Sequence, residues 1–167
     1  MLGMGIDKTP QPIAQNQSLY FPNSFALKQE LDKIKVRPTI SLFNYGAIEM
    51  YPSIPIDRCI NRMDNWFNKS RQVKWFTNTS VHVLMDAINL IMSRNRMKCW
   101  DLFVHQIRGI VIGMSPATSI VNIFAGIFEE RNIVSNFKEC IEFLQRFVDD
   151  RLGIWDQNTD QAIDNPN

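Results

Sequence analysis

Apolar residues along this chain recur at three- and four-residue steps in some stretches and crowd together in others, and the alternation places most elements. In "NSFALKQELDKI", Asn23 or Ser24 stands as an N-cap before Phe25, Leu27, Leu31 and Ile34, which predicts a short amphipathic helix ending before Pro38. "TISLFNYGAIEMY" is rich in β-branched and aromatic residues and predicts a strand, with Gly46 as a gap inside it. The chain then turns at its prolines, and Asp57 is placed to cap a helix with Ile60, Met63 and Phe67 on one face. A further helix starts near Thr79, carries Val81, Leu84, Ile88 and Ile91 inward, and ends in "SRNRMKCW".

"FVHQIRGIVIG" predicts strand and turn, and "SPATSIVNIFAGIFEE" a helix with Pro116 in its first turn and Ile120, Phe124 and Ile127 inward. "FKECIEFLQRFVDD" fits helix or strand, and a strand entering the paired aspartates is favoured. Residues 1–18 are polar, carry Pro10 and Pro12, and predict a flexible lead-in; residues 157–167 form a polar tail. The body between them, 19–156, is read as one domain, with no internal repeat.

Composition narrows the class without naming it. The 167 residues are 45% hydrophobic and 21% charged, which suits a globular core and argues against disorder. Net charge is +1, so any nucleic-acid partner has to be met by local patches. One such patch is Arg94, Arg96 and Lys98 beside Trp100; another is Lys69, Arg71 and Lys74 near Trp66 and Trp75. Basic residues at helix ends also occur as a solvated complement to the helix dipole, and both readings stay open. Cys59, Cys99 and Cys140 are odd in number and widely spaced, and only His82 and His105 are present, which disfavours a zinc site or disulfide framework and favours an intracellular setting. No segment has the length or apolarity of a membrane span or signal peptide.

"RFVDDRLGIW" puts Asp149 and Asp150 side by side between two apolar runs. Aspartates suit a hairpin turn, and they equally suit a divalent cation held between carboxylates.

Three segments, in order, resemble the palm of reverse transcriptases: "GAIEMYPSIPID", "GIVIGMSPATSIVNIF" and "FVDD". With "NSFALKQELDKI" and "RFVDDRLGIW" around them, they look most like Penelope-like and related retroelement enzymes. The resemblance runs from about Phe21 to Trp155. It implies an α+β, polymerase palm-like fold: a small antiparallel sheet carrying the Asp-Asp hairpin, packed on helices, without complete fingers or thumb. It implies template-directed DNA synthesis with two Mg2+ (or Mn2+) ions, on an RNA or DNA template-primer and deoxynucleoside triphosphates. By resemblance, Asp149 is the principal metal ligand and Asp150 its less direct companion. Tyr51 closes the sugar pocket, or is merely a strand-end core tyrosine. Ala47 offers a backbone carbonyl to a metal, and Gly113 and Pro116 form a turn under the template and incoming nucleotide, or simply a glycine turn before a helix.

One position departs. Five residues before Tyr51, where the family carries the first palm aspartate, this chain has Gly46. Glu49, three positions on in a strand-like segment, is expected to point to the opposite face. Arg151 is expected to neutralise part of the Asp150 charge. Only about twenty-five family-like residues precede the first motif, and nothing after Trp155 suggests a thumb, so a palm fragment is expected. The resulting expectation is an inactive or weakly active reverse transcriptase domain, against a non-catalytic nucleic-acid-binding module or a remnant without function.

Overall fold

The computed structural model describes residues 10–69 and 81–158. The backbone divides into two compact units, Met1–Ala14 with Glu49–Ile127 and Gln15–Ile48 with Phe128–Asn167.

The first unit is mainly helical. Its opening element, α1 (Pro10–Gln15), lies in the stretch expected to be a flexible lead-in. Pro10, Ile13 and Ala14 are buried, which gives that short helix a packing reason to form. Later in this unit come α3 (Met50–Ser53), α4 (Ile56–Lys69) and α5 (Val81–Ser93), numbered after α2 of the second unit. On α4 the buried stripe is Cys59, Met63 and Phe67, spaced by four, whereas Ile60 is half-buried. Asp57 sits inside the first turn of α4 and so meets the positive end of its dipole instead of capping it. Burial pushes the Cys59 thiol up to about 12. Leu84, Met85, Ile88 and Met92 form the buried face of α5, which packs on α4.

After α5 the chain does not continue as a helix end. Arg96–Cys99 (β2) and Leu102–His105 (β3) pair as an antiparallel ribbon. The helix α6 (Ala117–Glu129) follows, with Ile120, Val121, Ile123 and Ile127 fully buried and Phe124 half-buried under the Arg62 guanidinium. Pro116 immediately precedes α6, and its carbonyl accepts the Ile120 N–H at 3.0 Å. Beyond Glu129 a π-helical turn, Glu130–Val134, leads into one further helical turn, α7 (Ser135–Phe137).

The second unit holds α2 (Ser24–Leu31), β1 (Ile40–Gly46), the π-helical turn with α7, β4 (Ile141–Phe147) and β5 (Asp150–Asp156). Asn23 caps α2, accepting the Ala26 N–H at 2.9 Å. The three strands form one antiparallel sheet in the order β1-β5-β4. The free edge of β4 is partly covered, because the Arg146 N–H donates to the Leu19 carbonyl and Arg146 accepts from Phe21.

Strand alternation then produces an arrangement that needs a third group. In the β4–β5 register Arg146 lies directly opposite Arg151, on one face of the sheet. Both are buried, at 0% and 7% exposure. Glu129, the last residue of α6, resolves the repulsion: one carboxylate oxygen accepts from Arg146 Nε at 2.8 Å, the other from Arg151 Nε at 2.7 Å. Burial lowers the Arg146 pKa from its ordinary value, and the Glu129 charge opposes that shift. On the same sheet face, Gly153 lets the Phe43 ring lie against bare backbone, since a Cβ there would sit 2.2 Å from the ring. Among the described residues no helix is long and apolar enough to cross a membrane.

Replacing Glu129 by Gln leaves two buried guanidiniums without their shared charge. The expected loss is about 3–5 kcal/mol, or roughly 10 °C in melting temperature for a chain of this size. A melting temperature within a degree of the natural chain contradicts this account.

Candidate functional site

The hairpin between β4 and β5 closes with Phe147 opposite Asp150, so Val148 and Asp149 form a two-residue turn. Val148 has φ 53°, a left-handed conformation that is costly for a β-branched residue. Something has to hold that turn, and the Asp149 carbonyl is where it is held. It accepts the Ala47 N–H at 2.9 Å and Arg151 Nη1 at 2.5 Å. Arg151 therefore links the buried Glu129 to the turn that carries the paired aspartates.

This overturns the expectation that Arg151 neutralises Asp150. Neighbours on a strand point to opposite faces, and Arg151 is drawn into the buried ion pair while Asp150 stays exposed. Its guanidinium also stacks over Tyr45, 5.6 Å from the ring centre. The Tyr45 pKa is raised by burial first and by Glu129 next, with Arg151 and Arg146 acting against them. Among the described residues, neither Asp149 nor Asp150 is in a salt bridge.

Gly46 is directly opposite Asp150 in the β1–β5 register. A Cβ built on it lies 3.3 Å from Asp150 Oδ1 and 3.8 Å from the Asp149 carbonyl. Any side chain at position 46 would thus start beside the Asp150 carboxylate. Glu49 is not on the strand, which ends at Gly46; it precedes α3 with φ 47°. The face argument made from strand alternation therefore does not apply to it. Among the described residues no group of three or more His, Cys, Asp or Glu is placed to hold a metal ion. Two neighbouring carboxylates without a third leave the oxygen-ligand set of a two-magnesium centre incomplete.

Phe21–Ser24, Leu27 and the strand ends Asn44–Gly46 and Asp150–Leu152 line a cleft of about 610 Å³. Phe21 and Phe147 meet across part of it, with ring centres 5.6 Å apart. The Asp150 carboxylate and bare Gly46 backbone therefore border space large enough for a small molecule or a nucleotide.

Tyr51, Gly113 and Pro116 belong to the helical unit. Tyr51 is fixed at both ends: its carbonyl accepts the Ile110 N–H at 2.8 Å, and its hydroxyl lies 3.2 Å from Thr118 Oγ1. Next to it, Gly109 has φ 79°, and a Cβ there would be 2.5 Å from the Pro52 α-carbon. Gly113 has φ 90° and open space around it, so its backbone, not crowding, calls for glycine. Arg94, Arg96 and Lys98 are exposed on and before the β2–β3 ribbon. Of the other basic group, Lys69 ends α4, whereas Arg71, Lys74 and Trp75 lie outside the described residues.

No family model matches the sequence, and no curated protein matches it. Solved structures do. The chain is similar to apo telomerase from Candida tropicalis, with a TM-score of 0.64 and 12% identity, over 98% of this chain and 32% of that one. It is also similar to that organism's telomerase in complex with a TWJ fragment of telomeric RNA (0.64, 13%, 98% and 29%). A third match is the apo telomerase truncated from its C-terminal domain (0.60, 13%, 98% and 35%). The fold is reverse-transcriptase-like. This chain spans about a third of the length of those telomerase chains. At this identity the likeness carries the reverse-transcriptase-like fold and nothing finer.

The sequence reading missed Glu129 and Arg146. A signal was present: a turn at Val148–Asp149 pairs residue 146 with 151 by counting, and two opposed arginines ask for a carboxylate between them.

Gly109→Ala combines a left-handed backbone with a clash against Pro52 main chain. It is expected to cost about 2–4 kcal/mol in denaturant unfolding. A change below about 0.5 kcal/mol would mean that the Tyr51–Gly109 contact is not what fixes this loop.

Proposed function

We propose that this chain is a retroelement reverse transcriptase palm, of the Penelope-like branch that its motifs resemble, impaired in nucleotidyl transfer because Gly46 takes the place of the first palm carboxylate. One observation carries the reading. The glycine that the motif spacing singled out lies cross-strand from Asp150, and a Cβ built on it sits 3.3 Å from the Asp150 carboxylate. In this reading Asp149 and Asp150 are the remaining metal ligands for Mg2+ or Mn2+. Tyr51 and Ala47 border the incoming deoxynucleoside triphosphate, and Gly113 and Pro116 support it and the template. The RNA or DNA template-primer is the partner. A missing bridging carboxylate worth about 4 kcal/mol at the transition state slows the reaction roughly a thousandfold.

A second reading, a nucleic-acid-binding module without catalysis, is favoured by a different observation. Arg96 and Lys98 stand exposed on the ribbon with no salt bridge among the described residues.

Primer extension on an RNA template with Mg2+ or Mn2+ tests the first reading. The natural chain is expected to extend poorly, and Gly46→Asp to raise the rate by a factor on the order of a thousand. Robust extension by the natural chain would falsify the impairment.

A further inference from the structure

The β2–β3 ribbon has two chemically different faces, and its register sorts them. Directly opposed residues share a face, so Arg96 with His105 and Lys98 with Phe103 lie on one side. Met97 with Val104 and Cys99 with Leu102 lie on the other. Cys99 pairs with Leu102, leaving Trp100 and Asp101 as the turn. Trp100 is 91% exposed at φ 58°, a strained conformation for a bulky residue that nothing in the core requires. Phe103, 74% exposed, is also without a packing reason to be there. Arg94 is exposed where the ribbon begins and Arg108 just past its end. Among the described residues none of these four cations is in a salt bridge, and Asp101 is the ribbon's one acid. His105 is turned aside, with Nε2 2.9 Å from the Ser93 carbonyl.

Cations interleaved with bare aromatic rings suit one kind of partner. A single-stranded nucleic acid offers phosphates to the cations and unpaired bases to the rings, whereas an apolar protein surface would leave Arg96 and Lys98 desolvated without a counter-charge. We propose that the Arg96–His105 ribbon is a binding surface for single-stranded nucleic acid, with Arg96 and Lys98 on the phosphates and Trp100 and Phe103 stacked on bases. The proposal deepens the binding-module reading and does not rest on the carboxylate hairpin or on catalysis.

The test uses the full chain with fluorescein-labelled single-stranded RNA and DNA oligonucleotides of mixed sequence, read by anisotropy over a range of salt. Binding of either strand supports the surface, and the stronger of the two identifies the source. Affinity should fall with salt, with a log–log slope of about −1.4 for the two phosphate contacts, and Arg96→Ala with Lys98→Ala should remove most of that slope. Trp100→Gly relieves the backbone strain while removing the ring, and Phe103→Ala is exposed in any case, so both are expected to melt like the natural chain. Each should weaken binding about tenfold or more. Tryptophan emission gives an independent readout: the natural chain should quench on binding, and Trp100→Gly should lose most of that quench. The proposal is overturned if the natural chain binds neither strand at low salt, or if the folded ribbon variants bind as tightly as the natural chain. It is equally overturned if the natural chain self-associates through the ribbon and binds no oligonucleotide. Primer extension can fail while this binding persists, so the two outcomes are separable.

Discussion

Arg146 and Arg151 face each other from adjacent strands in a buried place, and the hairpin exists in its present form because Glu129 reaches both of them. Removing two guanidiniums from water is costly, and their mutual repulsion adds to that cost. The Glu129 carboxylate offsets both by placing one oxygen on each. Because Arg151 also donates to the Asp149 carbonyl, the same ion pairs reach the turn itself. The strained Val148 backbone is tolerated at a point where cross-strand pairing, the Ala47 N–H and a buried arginine all fix the neighbouring peptide.

That support sets what the exposed side of the hairpin can present. The strand that buries Arg151 must send Asp150 the other way, toward Gly46. A carboxylate at position 46 would add repulsion unless a cation sat among the charges. Glycine removes the repulsion and, in the proposed reading, the metal-bridging group with it. The cleft between α2 and the strand ends is then bordered by bare backbone on one side.

Much of this was legible in the sequence. The apolar spacing located α4, α5 and α6, and the Asn23 cap and the β1, β4 and β5 strands follow from local pattern. Motif spacing also singled out Gly46, whose neighbour in the sheet proved to be Asp150. What local pattern did not supply was register. Without it, Arg151 looked like a charge beside Asp150, when alternation sends it to the opposite face. Arg94 to Lys98 looked like a helix end, because β2 and β3 are each only four residues long and their pairing is non-local to the helix before them. Glu49 was placed on a strand that in fact ends three residues earlier, at Gly46. Glu129 needed both register and the end of α6 to be known together.

The most direct test of the central claim, that Gly46 stands where a metal-binding carboxylate belongs, is thermal melting of the natural chain and Gly46→Asp across a Mn2+ titration. A group that binds the folded state raises the melting temperature as its concentration passes the dissociation constant. The account predicts that Gly46→Asp melts below the natural chain without divalent ions, and that Mn2+ raises it far more than it raises the natural chain. An equal response of the two proteins to Mn2+, or no response by the variant, would contradict it.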